Sequence, residues 1–155
     1  MKLATEQQDE SKTEILEIHM PFGLIGLPQL KKFTLAPIPG SHPFLSMQAV
    51  VGGRFNFIVI EPCGLIAGYK LEVSDNDAEE LQIHTADDAR VLNIVTVHSL
   101  EPQFVTVNLV GPVVLNRGTL IGKQVIVTNA ELYSTQHVLI DERGGMAQPR
   151  RRRVC

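Results

Sequence analysis

Tryptophan is absent from this 155-residue chain, and aromatic residues make up only 5% of it. No apolar run reaches the roughly 18 residues of a membrane span, so the sequence predicts no transmembrane helix and no membrane partner. The opening residues, MKLATEQQDESK, lack the apolar run of a secretory signal, so we expect a cytoplasmic protein. Cys63 and Cys155 are too few for a disulfide framework, and we expect both to be thiols.

Catalytic and metal-binding constellations are also missing from the sequence. The five histidines have no metal-ligand spacing: His19, His42, His84, His98 and His137. No phosphate-loop lysine follows Gly23 and Gly26, and no serine lies in a G-x-S-x-G motif. We therefore expect no enzymatic activity, no cofactor and no metal.

The remaining composition is that of an ordinary globular domain. Apolar residues make up 44% of the chain and charged residues 20%, and the length is that of one domain. We predict a disordered segment over residues 1–12 and a folded domain over residues 13–142. A flexible tail is expected over residues 143–155, and it contains the basic run Arg150–Arg153.

Short β-strands dominate the predicted domain. Apolar residues alternate or cluster in TEILEIHM, FTLAPI, FLSMQAV, FNFIVIEP, GYKLEV, VLNIVTVHSL, FVTVNLV and KQVIVTN. In GYKLEV, the odd-numbered residues 69, 71 and 73 face inward and the even-numbered residues 70 and 72 face outward. Ser74 and Asp77 have the spacing of a helix cap, which predicts one short helix in SDNDAEELQI, while ELYSTQHVL is either a strand or a second short helix. The class is mainly β, an antiparallel sandwich or barrel.

The stretch TVNLVGPVVLNRGTLIGKQVIV, from Thr106 to Val127, reads as two strands around a turn. It holds no acid and only two bases, Arg117 and Lys123. We expect it to carry no chemistry. Thr106, Asn108 and Gln124 should instead fix the sheet through hydrogen bonds, because buried polar groups require partners.

The charge is unevenly distributed. The net charge of −3 includes the basic tail, whereas residues 13–142 contain fourteen acids and seven bases. Seven acids and no base lie between residues 72 and 88: Glu72, Asp75, Asp77, Glu79, Glu80, Asp87 and Asp88. Such a domain repels nucleic acid and attracts a basic partner, although a solvated acidic loop is the simpler interpretation of the run alone.

Four motifs in order resemble those of the FliW family of flagellar assembly factors. They are FGLIGLPQLKKF with Gly23, Gly26 and Phe33; FNFIVIEP; TVNLVGPVVLN; and GKQVIV followed by Tyr133 and His137. Their order and spacing agree with the family across about residues 14–140. The chain departs from the family pattern at Phe22, Ile25 and Leu27, where Glu, Pro and Phe are usual, and at Gly111, where Ala is usual. The Arg-rich tail does not resemble a family feature.

The resemblance implies an antiparallel β-barrel-like single domain and a non-enzymatic regulator. Proteins of this family bind flagellin in the cytoplasm, in the manner of a chaperone. After flagellin is exported, the freed protein binds CsrA, a dimeric RNA-binding repressor, and thereby relieves repression of flagellin mRNA translation. The implied partners are therefore CsrA and flagellin, without direct binding of nucleic acid.

Two groups of residues are candidates for contact with these partners. An acidic group suits a basic RNA-binding protein: Glu72, Asp75, Asp77, Glu79 and Glu80. An apolar groove that covers flagellin helices is expected near Tyr69, Val125, Tyr133 and His137. For Tyr69 and Val125, a plain core role is the alternative interpretation, because both face inward on predicted strands.

Two other functions remain open at this point. A split-barrel protein or enzyme that binds flavin or another small molecule would require a cluster of phosphate-binding groups, but Arg54, Arg90 and Arg117 are scattered. Direct RNA binding through Arg150–Arg153 would work against the acidic domain.

Overall fold

The computed structural model describes residues 14–51 and 54–144. Nine strands and three short helical elements form its framework. The strands are β1 (Leu16–His19), β2 (Lys32–Pro37), β3 (Leu45–Ala49), β4 (Asn56–Ile60), β5 (Ala89–Leu100), β6 (Gln103–Val107), β7 (Val113–Asn116), β8 (Gly122–Gln124) and β9 (His137–Asp141). The helical elements are α1 (Asp75–Glu80) and two 3-10 turns, Ala86–Asp88 and Ala130–Leu132. The predicted disordered segment and the Arg-rich tail, apart from Arg143 and Gly144, lie outside the described residues.

Every strand pair is antiparallel, and the sheet runs in the order β1-β2-β3-β4-β5-β6-β9. The long strand β5 belongs to a second set of strands as well. Its first residues, Ala89–Leu92, pair with β7, and β7 pairs with β8, so that β7 and β8 branch from the main sheet. An isolated bridge between His19 and Ile121 then connects the end of β1 to the segment before β8. The sheet thus curls back on itself, which confirms the predicted β-barrel-like domain.

The main hydrophobic core fills the inside of this curl. Its largest fully buried side chains come from β1 and the residue after it, from β2 and β3, and from the β5–β7 branch: Ile18, Met20, Phe33, Leu35, Met47, Leu92 and Leu115. A second cluster lies on the β5–β6 side and contains Ile60, Val105, Val107 and Leu109. Val105, Val107 and Leu109 alternate along FVTVNLV, and all three are buried in this second cluster.

The polar residues of the Thr106–Val127 stretch fix the sheet as predicted. The Asn108 Oδ1 atom accepts hydrogen bonds from the amides of Val110 and Gly111 at 3.0 and 2.9 Å. Gln124 accepts the amide of Ile25 at 2.9 Å and donates to the Gly111 carbonyl at 3.0 Å. The hydroxyl of buried Thr106 contacts His98 Nε2 at 2.8 Å. The two Gln124 bonds join the loop of Ile25 and the turn at Gly111 to strand β8.

The strand predicted over GYKLEV is not formed, although its alternation is correct. Lys70 and Glu72 are exposed and residues 69, 71 and 73 are half-buried, but the segment pairs with no strand in the described part of the chain. The Thr128 amide donates one backbone bond to the Glu72 carbonyl at 2.8 Å, and side chains supply the other bonds. Asn129 donates to the Lys70 carbonyl at 2.8 Å and accepts the Glu72 amide at 3.1 Å, while the Lys70 amide donates to the Tyr133 hydroxyl at 2.9 Å. We call the hydrogen bonds of Asn129 the side-chain clamp. The clamp takes the place of the strand pairing that the alternating pattern predicts.

The segment ELYSTQHVL contains both elements proposed for it, a 3-10 turn over Ala130–Leu132 followed by strand β9.

The expectation of a thiol at Cys63 is wrong, because this cysteine is disulfide-bonded. Whether a cysteine is bonded depends on what the fold brings beside it, which the sequence around Cys63 does not reveal. Cys155 lies outside the described residues.

Candidate functional site

Helix α1 organises the acidic group. Ser74 caps it as predicted: its hydroxyl accepts the Asp77 amide at 3.1 Å. Asp75 and Asp77 occupy the first turn, where the helix dipole favours negative charge. The cap and these acids start a helix of only six residues with no buried side chain of its own. The helix therefore carries carboxylates at the surface and adds no buried side chain to the core.

The five candidate acids divide into two sets. Asp77 and Glu80, three residues apart on one helical face, both bind Lys123 Nζ, at 2.6 and 2.7 Å. The hydrogen bonds that Lys123 donates to Asp77, the larger effect, and to Glu80 raise the pKa of this lysine. Sequence inspection missed this lysine because it lies far away in the chain, on β8.

The other set consists of Glu72, Asp75 and Glu79, which we call the acidic face. All three are exposed, and none forms an ion pair with any residue in the described ranges. Asp75 and Glu79 are one helical turn apart, so they project on the same side of α1. These three carboxylates have no ion-pair partner in the described ranges, whereas Asp77 and Glu80 share the single charge of Lys123. Contact of any of the five acids with a partner stays a prediction.

Exposed apolar side chains border the same region. The centroid of the Phe22 ring lies 5.2 Å from the Nζ atom of Lys123, the lysine that binds helix α1. Phe22 and Ile25 are about 60% exposed. They give the surface beside Lys123 an apolar component.

Asp88 stabilises the turn that follows α1. Its Oδ2 atom accepts the amides of His84 and Thr85, each at 2.9 Å. The hydrogen bond from Thr85 and then that from His84 lower the pKa of the Asp88 carboxyl. Asp87 and Asp88 lie in the 3-10 turn and not in a strand, and the carboxylate of Asp88 is committed to backbone amides.

We expect the Asp88 carboxyl to titrate below its ordinary pKa in a carbon-detected NMR titration. Because the folded-state pKa is lowered, the stability from these bonds is present above the unfolded-state pKa and is lost as the pH falls through the folded value. In Asp88→Asn this acid-dependent component should be absent. A normal titration midpoint for Asp88 in the folded protein would contradict the assignment.

The second candidate group consists of Tyr69, Val125, Tyr133 and His137. Three of these residues lie together, and Val125 does not. Tyr69 and Tyr133 contact each other edge to face, with ring centroids 4.8 Å apart. The Tyr69 hydroxyl donates to the Leu109 carbonyl at 2.7 Å, and burial raises the pKa of this phenol. With His137 they line a small cavity of about 370 Å³. Their proximity agrees with the expected site, while partner contact remains a prediction.

Val125 is placed elsewhere. It is 2% exposed and packs with Leu81 and Val114 in a core cluster under α1. A partner cannot contact this side chain in the described conformation, so we leave Val125 out of the candidate surface. The alternation in KQVIV indicated that Val125 faces inward. It did not indicate that helix α1 covers this side chain.

No group of histidine, cysteine, aspartate and glutamate side chains within residues 14–51 and 54–144 could hold a metal ion. The helices in these ranges also lack the length and apolar character that a bilayer span requires.

The fold and its surface thus define a small antiparallel β-barrel-like domain that presents an acidic helix. Comparison with known proteins identifies the family. The family model described as "FliW protein" matches residues 2–139. The chain therefore belongs to the FliW family of flagellar assembly factors, and the resemblance seen in the four motifs is confirmed.

Individual relatives agree with this assignment. The flagellar assembly factor FliW of Clostridium novyi (strain NT) is 35% identical over 120 residues, which cover 77% of this chain and 82% of that protein. The flagellar assembly factor FliW of Geobacillus sp. (strain WCH70) is 35% identical over 147 residues, 92% of this chain and 98% of that protein. A crystal structure of the flagellar assembly factor FliW superposes with a TM-score of 0.72 at 33% identity and covers 82% of this chain and 87% of that one.

Proposed function

We propose that this protein is a non-enzymatic, cytoplasmic regulator that binds flagellin and, when free of flagellin, binds CsrA and relieves repression of flagellin mRNA translation. The observation that carries the proposal is the acidic face. Three carboxylates stand exposed and without an ion pair among the described residues: Asp75 and Glu79 on helix α1, and Glu72 just before its cap. A repressor that holds RNA must present basic groups, and an unpaired acidic face is complementary to them.

The same charge arrangement favours release of RNA by CsrA. Negative side chains that approach the RNA-binding surface raise the electrostatic free energy of the phosphates nearby. An acidic protein can therefore displace RNA without entering the sites at which bases are read. The acidic face cannot itself hold RNA, which favours this function over direct RNA binding by the folded domain.

The test is a binding measurement with CsrA and flagellin from the same organism, separately and together. We expect each protein to bind alone, and flagellin to displace CsrA in the mixture. Calorimetry gives both affinities, and a labelled flagellin leader RNA reports its release from CsrA. Failure to bind either protein would refute the proposal.

Charge reversal of the acidic face tests the assigned surface. In the triple variant Glu72→Lys, Asp75→Lys, Glu79→Lys, CsrA affinity should fall at least about tenfold at physiological salt, because attraction becomes repulsion. The loss should shrink at high salt.

A matched control carries the same change in net charge elsewhere. Glu17, Glu101 and Glu142 are exposed and belong to no ion pair among the described residues. Their triple reversal should reduce CsrA binding much less. Equal losses in the two triple variants would assign the effect to net charge and would reject the acidic face as the contact surface.

A further inference from the structure

A cavity of about 600 Å³ opens between the segment of residues 61–73, helix α1 and the β5–β7 branch. Its walls are mainly apolar: Leu71, Val73, Ala78, Ile83, Val91 and Val114. The size and the lining are those of sites that bind apolar groups. It is separate from the smaller cavity at His137, although Tyr69 borders both.

The charged groups at this cavity are predominantly positive. Lys70 and Arg117 line it, and neither has a carboxylate within ion-pair distance in the described part of the chain. Arg117 Nε donates to the Ala89 carbonyl at 3.1 Å, which directs the side chain along the cavity wall. Glu61 is the acid among the described lining residues, and it is already paired with Arg90 at 2.8 Å.

The acidic face and the cavity therefore select partners of opposite charge. A basic protein is attracted by Glu72, Asp75 and Glu79 but finds two unpaired cations at the cavity. An apolar segment that also carries carboxylates can bury its side chains in the cavity and pair with Lys70 and Arg117. The apolar walls and the two unpaired cations thus favour an apolar segment that carries carboxylates.

We propose that this cavity receives an apolar, carboxylate-bearing segment of flagellin. This inference rests on the proposed function, because it assigns one of the two partners to a second surface. The basic repressor remains on the acidic face. The segment Tyr69–Val73 joins the two surfaces, since Leu71 and Val73 line the cavity while Glu72 belongs to the acidic face.

Ala86 offers a way to block the cavity without disturbing the core. This residue is exposed and also lines the cavity, so a tryptophan there can occupy the opening from the solvent side. The matched control is Ala67→Trp, at an exposed alanine that lines the smaller cavity instead. Both variants carry the same substitution in exposed turns, and their thermal unfolding confirms that they fold.

In calorimetry, Ala86→Trp should weaken flagellin binding at least about tenfold and leave CsrA affinity within about twofold, because only the flagellin contact is obstructed. Ala67→Trp should bind flagellin with unchanged affinity, which would remove the smaller cavity of Tyr69, Tyr133 and His137 from the candidate flagellin surface. Loss of flagellin binding in Ala67→Trp instead would assign flagellin to that smaller cavity and overturn the proposal. If Ala86→Trp binds flagellin with unchanged affinity, the cavity is not the docking site, and the proposed function still stands. If the unmodified protein binds no flagellin, it is the proposed function that fails.

The chemistry of the cavity is also measured without a partner. The dye 1-anilinonaphthalene-8-sulfonate is apolar and anionic, like the proposed occupant. Its fluorescence should increase with the unmodified protein and with Ala67→Trp, and should decrease with Ala86→Trp and with the double variant Lys70→Glu, Arg117→Glu. Equal fluorescence with all four proteins overturns the assignment of the cavity to an apolar, acidic ligand.

Discussion

Replacing Gly23 with alanine should lower the free energy of unfolding by about 3 kcal/mol or more. Gly23 lies in the motif FGLIGLPQLKKF with a φ of +64°, in the left-handed region. A Cβ atom there would lie 2.5 Å from the Leu27 carbonyl oxygen and 2.6 Å from the Pro28 carbonyl carbon. The left-handed conformation costs about 1–2 kcal/mol for a residue with a side chain, and the contact with backbone atoms adds to it.

Gly26 provides a control three residues away. Its φ is +86°, but no heavy atom lies within 4 Å of the position its Cβ would occupy. Gly26→Ala should therefore cost only the conformational part, about 1 kcal/mol. Chemical denaturation of both variants measures the difference. Similar losses at the two positions would show that the loop relaxes around Gly23, and would refute a steric role for that glycine.

The Gly23 loop illustrates what the sequence could predict. The glycine spacing belongs to a recognisable family motif, and the positive φ values explain why glycine occupies both positions. Strand periodicity likewise located most of the sheet, because alternation depends on residues two apart along the chain. The cap at Ser74 was predictable for the same reason, since its bond to Asp77 spans three residues.

Contacts between distant segments were not predictable from local patterns. Lys123 binds Asp77 and Glu80, and nothing in GKQVIV indicates a carboxylate partner. The isolated bridge that connects the end of β1 to the segment before β8 depends on the curl of the whole sheet. The clamp formed by Asn129 replaces strand pairing where alternation predicts a strand. In each case the deciding interaction joins residues far apart in sequence.

Such long-range polar contacts also carry stability, and Asn116 is the clearest instance. This residue, at the end of β7, is 7% exposed. Its Nδ2 atom donates to the carbonyls of Leu81 and Gln82 at 2.8 and 3.2 Å. Its Oδ1 atom accepts the amides of Gly118 and Thr119 at 2.8 and 3.1 Å. One side chain therefore joins the end of helix α1 to the turn between β7 and β8.

Asn116→Ala should lower the free energy of unfolding by about 3 kcal/mol, because it leaves four backbone groups without their side-chain partner. Asn56→Ala is the control, since that exposed asparagine accepts one hydrogen bond, from Ser46, and its loss should cost less than about 0.5 kcal/mol. Amide exchange at Gly118 and Thr119 should accelerate only in Asn116→Ala. A small stability loss with unchanged exchange would mean that the turn holds α1 in place without Asn116. The ion pairs of Lys123 with Asp77 and Glu80 would then hold α1 over the sheet without help from Asn116.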